Sequence, residues 1–344
     1  MRLVVTVPPW ARAVVSDLTD MHRTPHGVDA ARVSRYALEL PDDVYFEYAF
    51  LDEHGRMRAD PEREARAENP WYPEVTAVRG PEHAHHPLSD PPPPARPGTT
   101  ARHRVASEAW QGHRRVLVYT PAGASGPLPV VLFHDGMAYY RVARTPDVYE
   151  ALRAAGEVDD ALLVFVDPID REREYAFEPR HARFVLDDLL PFLRERHAVG
   201  GEIVAAGASL GGLAAAQVAL ASLDGDAGVR TVLTQGGAFL GSPDDPRFHD
   251  VEHAWLPDEL ARRDLGALRW WSEVGTLDWL CGVNREVHAV LRARAGEHAY
   301  AERSAGHNWR SWRDGLPEAL RFALRPGREP GPQRERRSDV TRAR

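Results

Sequence analysis

A serine lies between two glycines in the segment Gly207-Ala208-Ser209-Leu210-Gly211. This spacing fits the G-x-S-x-G pattern, which places a serine hydroxyl on a sharp turn between a strand and a helix. Glycine two residues before and after the serine removes the Cβ atoms that would collide where the strand end meets the helix start. The pattern predicts that Ser209 is a nucleophile, and the alternative is a chance match in an ordinary turn.

The residues around this turn have the composition that such a serine needs. Residues 203–206 form a short apolar run, as expected of a strand that is buried on both faces. Residues 213–223 are rich in alanine and leucine, which favour a helix. A helix start also directs backbone N–H groups toward the place where an oxyanion would form. The sequence therefore predicts a strand, Ser209 and a helix in succession.

A serine hydroxyl needs a histidine that takes its proton and a carboxylate that orients this histidine. In folds built around this turn, both follow the serine in the chain. The histidines after it are His249, His253, His288, His298 and His307. His307 follows a glycine, between a strand pattern at 300–304 and the last predicted helix, so a loop can carry it to the serine. His307 is the predicted base, and a solvated residue at a helix start is the alternative.

Asp278 is the first candidate for the orienting acid. It lies just past a strand pattern that ends at Val274, and catalytic groups of α/β sheets collect at the carboxyl ends of strands. Glu273, which lies inside the strand pattern, is the second candidate. The structural alternative for Asp278 is that it only caps the helix that follows.

Two backbone N–H groups are expected to bind the oxyanion. Leu210, directly after the serine, should supply one of them. The other should come from the loop after an earlier strand, which here is His134-Asp135-Gly136-Met137, so the N–H of Gly136 or Met137 is the candidate. The alternative is that Asp135 and Gly136 form an ordinary turn.

Short apolar strands alternate with helices in the second part of the chain. Strands are predicted at 114–120, 128–134, 161–166, 229–234 and 268–274, and helices at 146–155, 180–197, 285–294 and 311–324. This alternation predicts an α/β fold with a mostly parallel, doubly wound sheet that helices cover on both faces. Strand patterns at 3–7, 35–40 and 44–50 predict a small β-sandwich before it.

Changes in composition divide the chain into four parts. Residues 1–88 contain the predicted sandwich, and the proline-rich residues 89–99 are predicted to form a stiff, extended linker. Residues 100–325 carry the predicted catalytic apparatus. Residues 326–344 are rich in proline, glycine and arginine without an apolar period, which predicts a disordered tail.

Composition also excludes several functions for this chain of 344 residues. Its net charge is −8, which gives no general attraction for nucleic acid or acidic membranes, and its 43 basic side chains are all arginine. No segment approaches the 18 apolar residues of a membrane span, and no secretory signal is evident at the start, so we expect a cytoplasmic protein. Cys281 is the only cysteine, which excludes an internal disulfide, and is predicted to be a small core residue.

Three histidines, His83, His85 and His86, lie close together after the predicted sandwich. No carboxylate or cysteine has a spacing that would complete a metal site with them. They are therefore predicted to be solvated loop residues, and neither a metal nor another cofactor is expected.

The second part of the chain resembles the esterase D family of α/β-hydrolases, and within it the ferric enterobactin (enterochelin) esterases. The matching segments are 130–136, 171–175, 207–212, 274–278 and 306–313, and residues 1–75 resemble the amino-terminal sandwich of those esterases. The chain departs from the family pattern at Asn308, where aspartate is usual, and its amino-terminal part is short.

The resemblance implies that Ser209, Asp278 and His307 act as nucleophile, orienting acid and base. It further implies hydrolysis of serine-ester bonds in a catecholate siderophore, in the cytoplasm and without a metal cofactor. Two alternatives stay open. The protein could be an acyltransferase or general acyl-esterase of the same family, or a non-catalytic binding protein on a hydrolase fold. The oligomeric state is not indicated by the sequence.

A ferric catecholate is large, aromatic and anionic, so its site should offer arginines and aromatic faces. Side chains of this kind near the catalytic segments are Arg171, Arg173, Arg180, Trp309 and Trp312. They are predicted to line the substrate site. The alternatives are a solvated charged face for the arginines and core packing for the tryptophans.

Overall fold

The computed structural model describes residues 1–21, 34–225, 228–247, 251 and 253–327. The strands of the amino-terminal part are β1 Arg2–Thr6, β2 Ala13–Ser16, β3 Arg35–Glu39, β4 Tyr45–Leu51, β5 Met57–Arg58 and β6 Thr76–Arg79. The later strands are β7 Thr99–Ser107, β8 Gly112–Thr120, β9 Leu128–His134, β10 Leu162–Val166, β11 Val199–Ala208, β12 Val229–Gln235, β13 Arg269–Gly275 and β14 Glu297–Arg303.

Helices connect most of the later strands. They are α1 Gly136–Arg141, α2 Thr145–Ala154, α3 Arg171–Tyr175, α4 Pro179–Arg183, α5 Leu190–Arg196, α6 Leu210–Leu223, α7 Trp255–Arg262, α8 Cys281–Arg294 and α9 Trp309–Ala323. A 3₁₀ turn at Asp17–Thr19 follows β2, and a π-helical turn at Phe184–Leu189 joins α4 to α5. None of the helices in the described ranges combines the length and the apolar character that crossing a bilayer requires.

Eight strands form the central sheet, in the order β14-β13-β12-β11-β9-β10-β8-β7. The six strands from β14 to β10 pair in parallel, and β8 and β7 extend the sheet by antiparallel pairing. The carboxyl ends of the six parallel strands therefore meet at one edge, where ligands of open α/β sheets bind.

Alternating side chains of the sheet enter two different apolar cores. In β9, Val130 and Leu132 pack into one core, whereas Val131 and Phe133 pack into the other. The first core includes residues of α3 to α8, and the second includes residues of α1, α2 and α9. Both faces of the sheet are thus buried, which is why its strands read as continuous apolar runs.

The amino-terminal strands form two smaller antiparallel sheets. One contains β1 and β3, and the other contains β2, β4, β5 and β6. Side chains of both sheets share one apolar core, including Leu3, Val5, Val14 and Phe46, and Leu277 of the catalytic part packs against it. The sandwich-like amino-terminal part and the α/β fold predicted from the sequence are both confirmed.

The structure contains elements that the sequence prediction missed or bounded differently, among them the short strands β2, β5 and β6 and the short helices α1 and α3. Strand β7 was not predicted because it lies at the sheet edge and exposes most of its side chains, so it lacks an apolar pattern. Helix α7 was also missed. The helix predicted at 180–197 widens into the π-helical turn at Phe184–Leu189, just before Pro191, whose missing N–H cannot continue α-helical bonding.

The proline-rich segment after residue 88 is fastened to helix α9. Asp90 pairs with Arg310 and with Arg313, and the backbone oxygen of Ser89 accepts a 2.6 Å hydrogen bond from Arg313 Nε. The two arginine side chains are 5% and 2% exposed, whereas the Asp90 side chain is 48% exposed, so the arginines are buried and the carboxylate partly faces water. Of the predicted tail at 326–344, residues 328–344 lie outside the described residues.

Candidate active site

Polar residues follow the carboxyl ends of the parallel strands. Asp135 comes directly after β9, Asp167 after β10 and Ser209 after β11, while Asp278 and His307 follow β13 and β14 within four residues. Because these strands are parallel neighbours, the five residues lie along the same edge of the sheet. This edge is the candidate active site.

Ser209 has the backbone conformation of a nucleophile elbow. Its φ of 55° and ψ of −125° lie in a region that residues other than glycine rarely adopt. The N–H of Ser209 donates to Gln235 O at 2.9 Å, and its carbonyl accepts from Gly212 N at 2.9 Å and from Ala238 N at 3.0 Å. Hydrogen bonds on both sides thus hold the serine in its strained turn.

The glycines around Ser209 are required by close packing. A methyl group on Gly207 would lie 2.8 Å from Gly212 N and closer still to the Gly211 carbonyl, and one on Gly211 would lie 2.9 Å from Asp135 Oδ2. A methyl group on Gly212 would lie 3.2 Å from the Cα atom of the neighbouring loop at residue 237. Side chains at these positions would push the helix away from the strand.

His307 and Asp278 form a buried pair. His307 Nδ1 donates to Asp278 Oδ2 at 2.8 Å, and the side chains are 4% and 0% exposed. Asp278 Oδ1 accepts the N–H of Leu280 at 2.8 Å, so the carboxylate serves both the histidine and the start of α8. The Trp312 ring packs edge-on against the imidazole, with a centroid distance of 4.9 Å. These contacts fix the orientation of the imidazole ring.

Gly236 connects this pair to the elbow. The backbone of Ser209 bonds to the preceding residue, Gln235. A Cβ atom on Gly236 would lie 3.0 Å from Asp278 Oδ2 and 3.5 Å from His307 Nδ1. Gly236 therefore lies next to the His307–Asp278 pair and directly after the residue that bonds to Ser209.

The pKa of His307 lies above its ordinary value of 6.5. Burial opposes protonation most strongly, but the charge of Asp278 and the hydrogen bond to it outweigh burial. Asp20 adds to the increase and Arg171 opposes it.

Glu273, the second candidate for the orienting acid, belongs to another network. It is buried and bonds to Arg303 Nε at 2.6 Å and to Gln235 Nε2 at 2.5 Å. Its carboxylate faces Gly315 of α9, because a Cβ there would overlap it. Glu273 thus stabilises packing between the sheet and α9, and Asp278 is the carboxylate that reaches the histidine.

Among the described residues, the other histidines that follow Ser209 in the chain make no contact with the elbow. His288 and His298 lie 2.9 Å apart through their ring nitrogens, at the edge strand β14. His253 is exposed in a loop, and His249 lies outside the described residues. Cys281 is buried at the start of α8.

The candidate oxyanion donors differ in availability. Leu210 is the first residue of α6, so its N–H has no acceptor within the helix. The N–H of Met137 instead donates to Asp167 Oδ1 at 2.8 Å, which removes it from this role. Gly136 begins α1 and packs so tightly on β10 that a Cβ would lie 2.8 Å from Phe165 Cβ. This close packing alone requires a glycine here, whether or not its N–H binds a ligand.

Arg171 lies beside the elbow. Its guanidinium binds Asp135 through both carboxylate oxygens, at 2.9 and 2.7 Å, and contacts Ala208 O at 3.4 Å. The ring of Trp71 stacks on the other side, 4.9 Å from the guanidinium carbon. Trp71 is 42% exposed, so the site presents a cation and an open aromatic ring together.

The remaining predicted substrate residues have other surroundings. Trp309 and Trp312 are 1% and 3% exposed and pack against each other, so they belong to the core behind His307 and offer no open face to a ligand. Arg180 pairs with Glu178 and stacks on Trp110, whereas Arg173 is exposed. Packing on the apolar side of α9 accounts for the buried tryptophans.

The sequence predicted that the histidines after residue 82 are solvated, but in the structure they are partly buried. His83 Nε2 lies 3.2 Å from His85 Nδ1, which lies 2.8 Å from Asp314 Oδ2 in α9. These three atoms could hold a metal ion, but Arg310 Nε also lies 2.9 Å from His85 Nδ1 and its guanidinium neutralises Asp314. The cluster therefore fastens the loop to α9 through hydrogen bonds.

Sequence reasoning missed the amino-terminal contribution to the site. Trp71 stacks on Arg171, Asp17 bonds to the loop that carries His307, and the charge of Asp20 acts on His307. Each residue lies a hundred or more positions from its partner. The spacing of aspartates around residue 17 carries no motif that would have identified them.

A mostly parallel sheet with a strained serine between β11 and α6 defines the α/β-hydrolase class. The Esterase family, described as "Putative esterase", matches residues 107–323, which is more than half of the chain. The chain therefore belongs to this esterase family, and the resemblance predicted from its sequence is confirmed.

The chain is 28% identical over 236 residues to the iron(III) enterobactin esterase of Dickeya dadantii (strain 3937). This match covers 63% of the chain and 53% of the relative, so the chain spans about half the length of the curated relative.

Solved structures share the fold at low sequence identity. The enterochelin esterase of Shigella flexneri superposes with a TM-score of 0.71 at 20% identity, covering 93% of this chain and 91% of that one. The ferric enterobactin esterase of Salmonella typhimurium gives the same TM-score and identity, with 93% and 92% coverage. A ferulic acid esterase superposes with a TM-score of 0.57 at 18% identity, covering 67% of this chain and 98% of that one.

Gly207→Ala should strongly destabilise the protein, because the added methyl group overlaps the backbone of Gly211 and cannot move aside. We expect a loss of about 2 kcal/mol or more in the free energy of unfolding, measured by urea denaturation. Gly282→Ala is the matched control, because a methyl group there meets nothing within 4 Å in α8. The packing explanation is wrong if the two variants are equally stable.

Proposed function

We propose that this protein is a carboxylic-ester hydrolase whose nucleophile is Ser209. The observation that carries the proposal is the convergence of the strained Ser209 turn and the buried His307–Asp278 pair around Gly236. A serine, an imidazole and a carboxylate in this order and arrangement constitute the machinery of acyl transfer. Membership of the esterase family supports the same reaction class.

In the proposed reaction, Ser209 Oγ attacks the ester carbonyl while His307 Nε2 takes its proton. The imidazolium that forms is stabilised by Asp278, and it then donates the proton to the leaving alcohol. Water, deprotonated by the same imidazole, hydrolyses the resulting acyl-enzyme and regenerates the serine. Asp278 stays ionised throughout and fixes the histidine tautomer.

The N–H groups of Leu210 and Gly136 are the proposed oxyanion donors. Leu210 N–H points from the start of α6, where the helix dipole also favours negative charge. The loop that contains Gly136 lies against the elbow, because a Cβ on Gly211 would lie 3.3 Å from His134 Cβ. Arg171, beside Ala208, pairs with Asp135 at the same edge.

The proposed substrate is a catecholate siderophore of the enterobactin type, cleaved at its serine esters. The curated relative is an iron(III) enterobactin esterase, and structures of the Shigella flexneri enzyme were determined in the presence of enterobactin and of 2,3-dihydroxy-N-benzoyl-serine. The pairing of Arg171 with the exposed Trp71 suits an aromatic, anionic acyl group. We also propose that residues 1–88 and 100–325 are the amino-terminal and catalytic domains, joined by 89–99.

Ser209→Ala should lower kcat for an activated ester by about 10⁴- to 10⁶-fold, because only binding and the oxyanion donors remain. His307→Ala should cost nearly as much, since the two residues act as a unit. The measurement is steady-state hydrolysis of p-nitrophenyl butyrate, with fluorophosphonate labelling of the serine. Ser107→Ala, at the end of the remote strand β7, is the control. Labelling and turnover that survive in Ser209→Ala would refute the proposed function.

The pH profile of kcat/KM should report the raised pKa of His307. The base must be neutral to act, so activity falls as the pH drops through this pKa, and the acid limb should lie above 6.5. Asp278→Asn removes the charge that raises the pKa, so the limb should move to lower pH while kcat falls by about 10⁴-fold. An unchanged limb and kcat in Asp278→Asn would exclude this carboxylate as the orienting acid.

Trp71→Ala should raise KM for catechoyl-serine esters by about 10-fold, because stacking on an aromatic group contributes about 1–1.5 kcal/mol. KM for p-nitrophenyl acetate should stay within about twofold, since this ester has a small acyl group. Trp10→Ala is the matched control, because Trp10 is also exposed but packs on Phe50. Equal KM changes for both substrates would contradict an acyl-binding role for Trp71.

A further inference from the structure

The 3₁₀ turn at Asp17–Thr19 lies against the loop that carries the proposed base. The main-chain carbonyl of Asp17 accepts the N–H of His307 at 2.8 Å. Its side-chain Oδ2 accepts Asn308 Nδ2, also at 2.8 Å. One amino-terminal residue thus holds two consecutive residues of this loop, nearly 300 positions later in the chain.

The fit around Asp17 is tight. The residue is fully buried, and Oδ2 also accepts the N–H of Glu47 at 3.1 Å. Gly306 packs so closely that a Cβ there would lie 2.5 Å from Asp17 Cγ. On the adjacent strand β4, Tyr45 N donates to Ser304 O at 3.1 Å. The amino-terminal sheet therefore contacts the loop continuously from residue 304 to residue 308.

The Asp17 carboxyl is surrounded by acidic groups. Burial raises its pKa well above the ordinary 3.8, and the charges of Glu47 and Asp278 raise it further, against the hydrogen bonds from Asn308 and from the Glu47 N–H. Burial likewise raises the pKa of Glu47, to about 7. A protonated, uncharged Asp17 still accepts both hydrogen bonds through Oδ2, because neither of them uses Oδ1.

We propose that Asp17 is a positioning residue that holds the His307 loop in register with Ser209, through its main-chain carbonyl and its side-chain Oδ2. This inference rests on the proposed function. Asn308 suits this contact because its amide donates to Oδ2, where an aspartate would present a second acceptor. The usual family aspartate at this position would place two carboxyls against each other here.

Asp17→Ala removes the side-chain contacts and leaves the main-chain carbonyl in place. We expect kcat for p-nitrophenyl butyrate to fall about 10- to 100-fold, as for small displacements of a catalytic group, with KM within about twofold. Asp17→Asn keeps an acceptor at the position of Oδ2 and adds no charge, so it should retain kcat within about threefold and an unchanged acid limb. The control is Asp43→Ala, an exposed carboxylate in the same amino-terminal part.

Asn308→Asp tests the same contact without changing Asp17, in case Asp17→Ala does not fold. Aspartate keeps the cap of α9, where Oδ1 accepts Ser311 N at 2.8 Å. The new carboxyl faces Asp17, and its charge adds to those of Asp278 and Asp20 and opposes that of Arg171 near His307. We expect a lower kcat and an acid limb that moves upward by up to about one pH unit.

Two results would overturn the proposal while Ser209→Ala remains inactive. One is a wild-type kcat and pH profile in Asp17→Ala, or in Asn308→Asp if Asp17→Ala does not fold. The other is an Asp17→Asn variant as impaired as Asp17→Ala, which would show that the hydrogen bonds through Oδ2 are not what matters. Ester hydrolysis that survives in Ser209→Ala would instead refute the proposed function itself.

Discussion

The backbone of Ser209 adopts a strained conformation that costs about 1–3 kcal/mol and persists only because its surroundings impose it. Hydrogen bonds to Gln235 and from Ala238 join the turn to the next strand and to the loop after it. Glycines allow α6 to approach β11 within the contact distance that the turn demands. The position of a single hydroxyl thus depends on the packing of the whole central sheet.

The site also depends on charge balance in a buried environment. His307 can be protonated in a dry setting because Asp278 compensates its charge. Nearby, Asp135 is neutralised by Arg171 and Glu273 by Arg303, in bonds of 2.6 to 2.9 Å. The chain has no lysine, and the planar fork of arginine suits such two-point contacts with carboxylates. Asp17 is the exception, because it is paired with the Asn308 amide and the Glu47 N–H rather than with a cation.

Much of the catalytic part could be predicted from its sequence because the determinants are local. The spacing around Ser209 specifies a turn, and apolar runs between helices specify buried parallel strands. Contacts between distant segments left no local pattern, so Trp71 and the His85–Asp314 contact were missed. Edge strand β7 was missed because most of its side chains are exposed, so it has no apolar pattern. No local pattern indicated that Asp167 would accept the N–H of Met137.

The contact between Asp17 and His307 has a consequence for how the protein matures. During synthesis the amino-terminal sheet and the serine turn emerge from the ribosome long before residues 304–308. Contacts so far apart in sequence form late in folding, after local helices and hairpins. A nascent chain therefore carries Ser209 without the His307 loop until the final segments dock. The arrangement of the candidate site is complete only when the first and last parts of the described chain have come together.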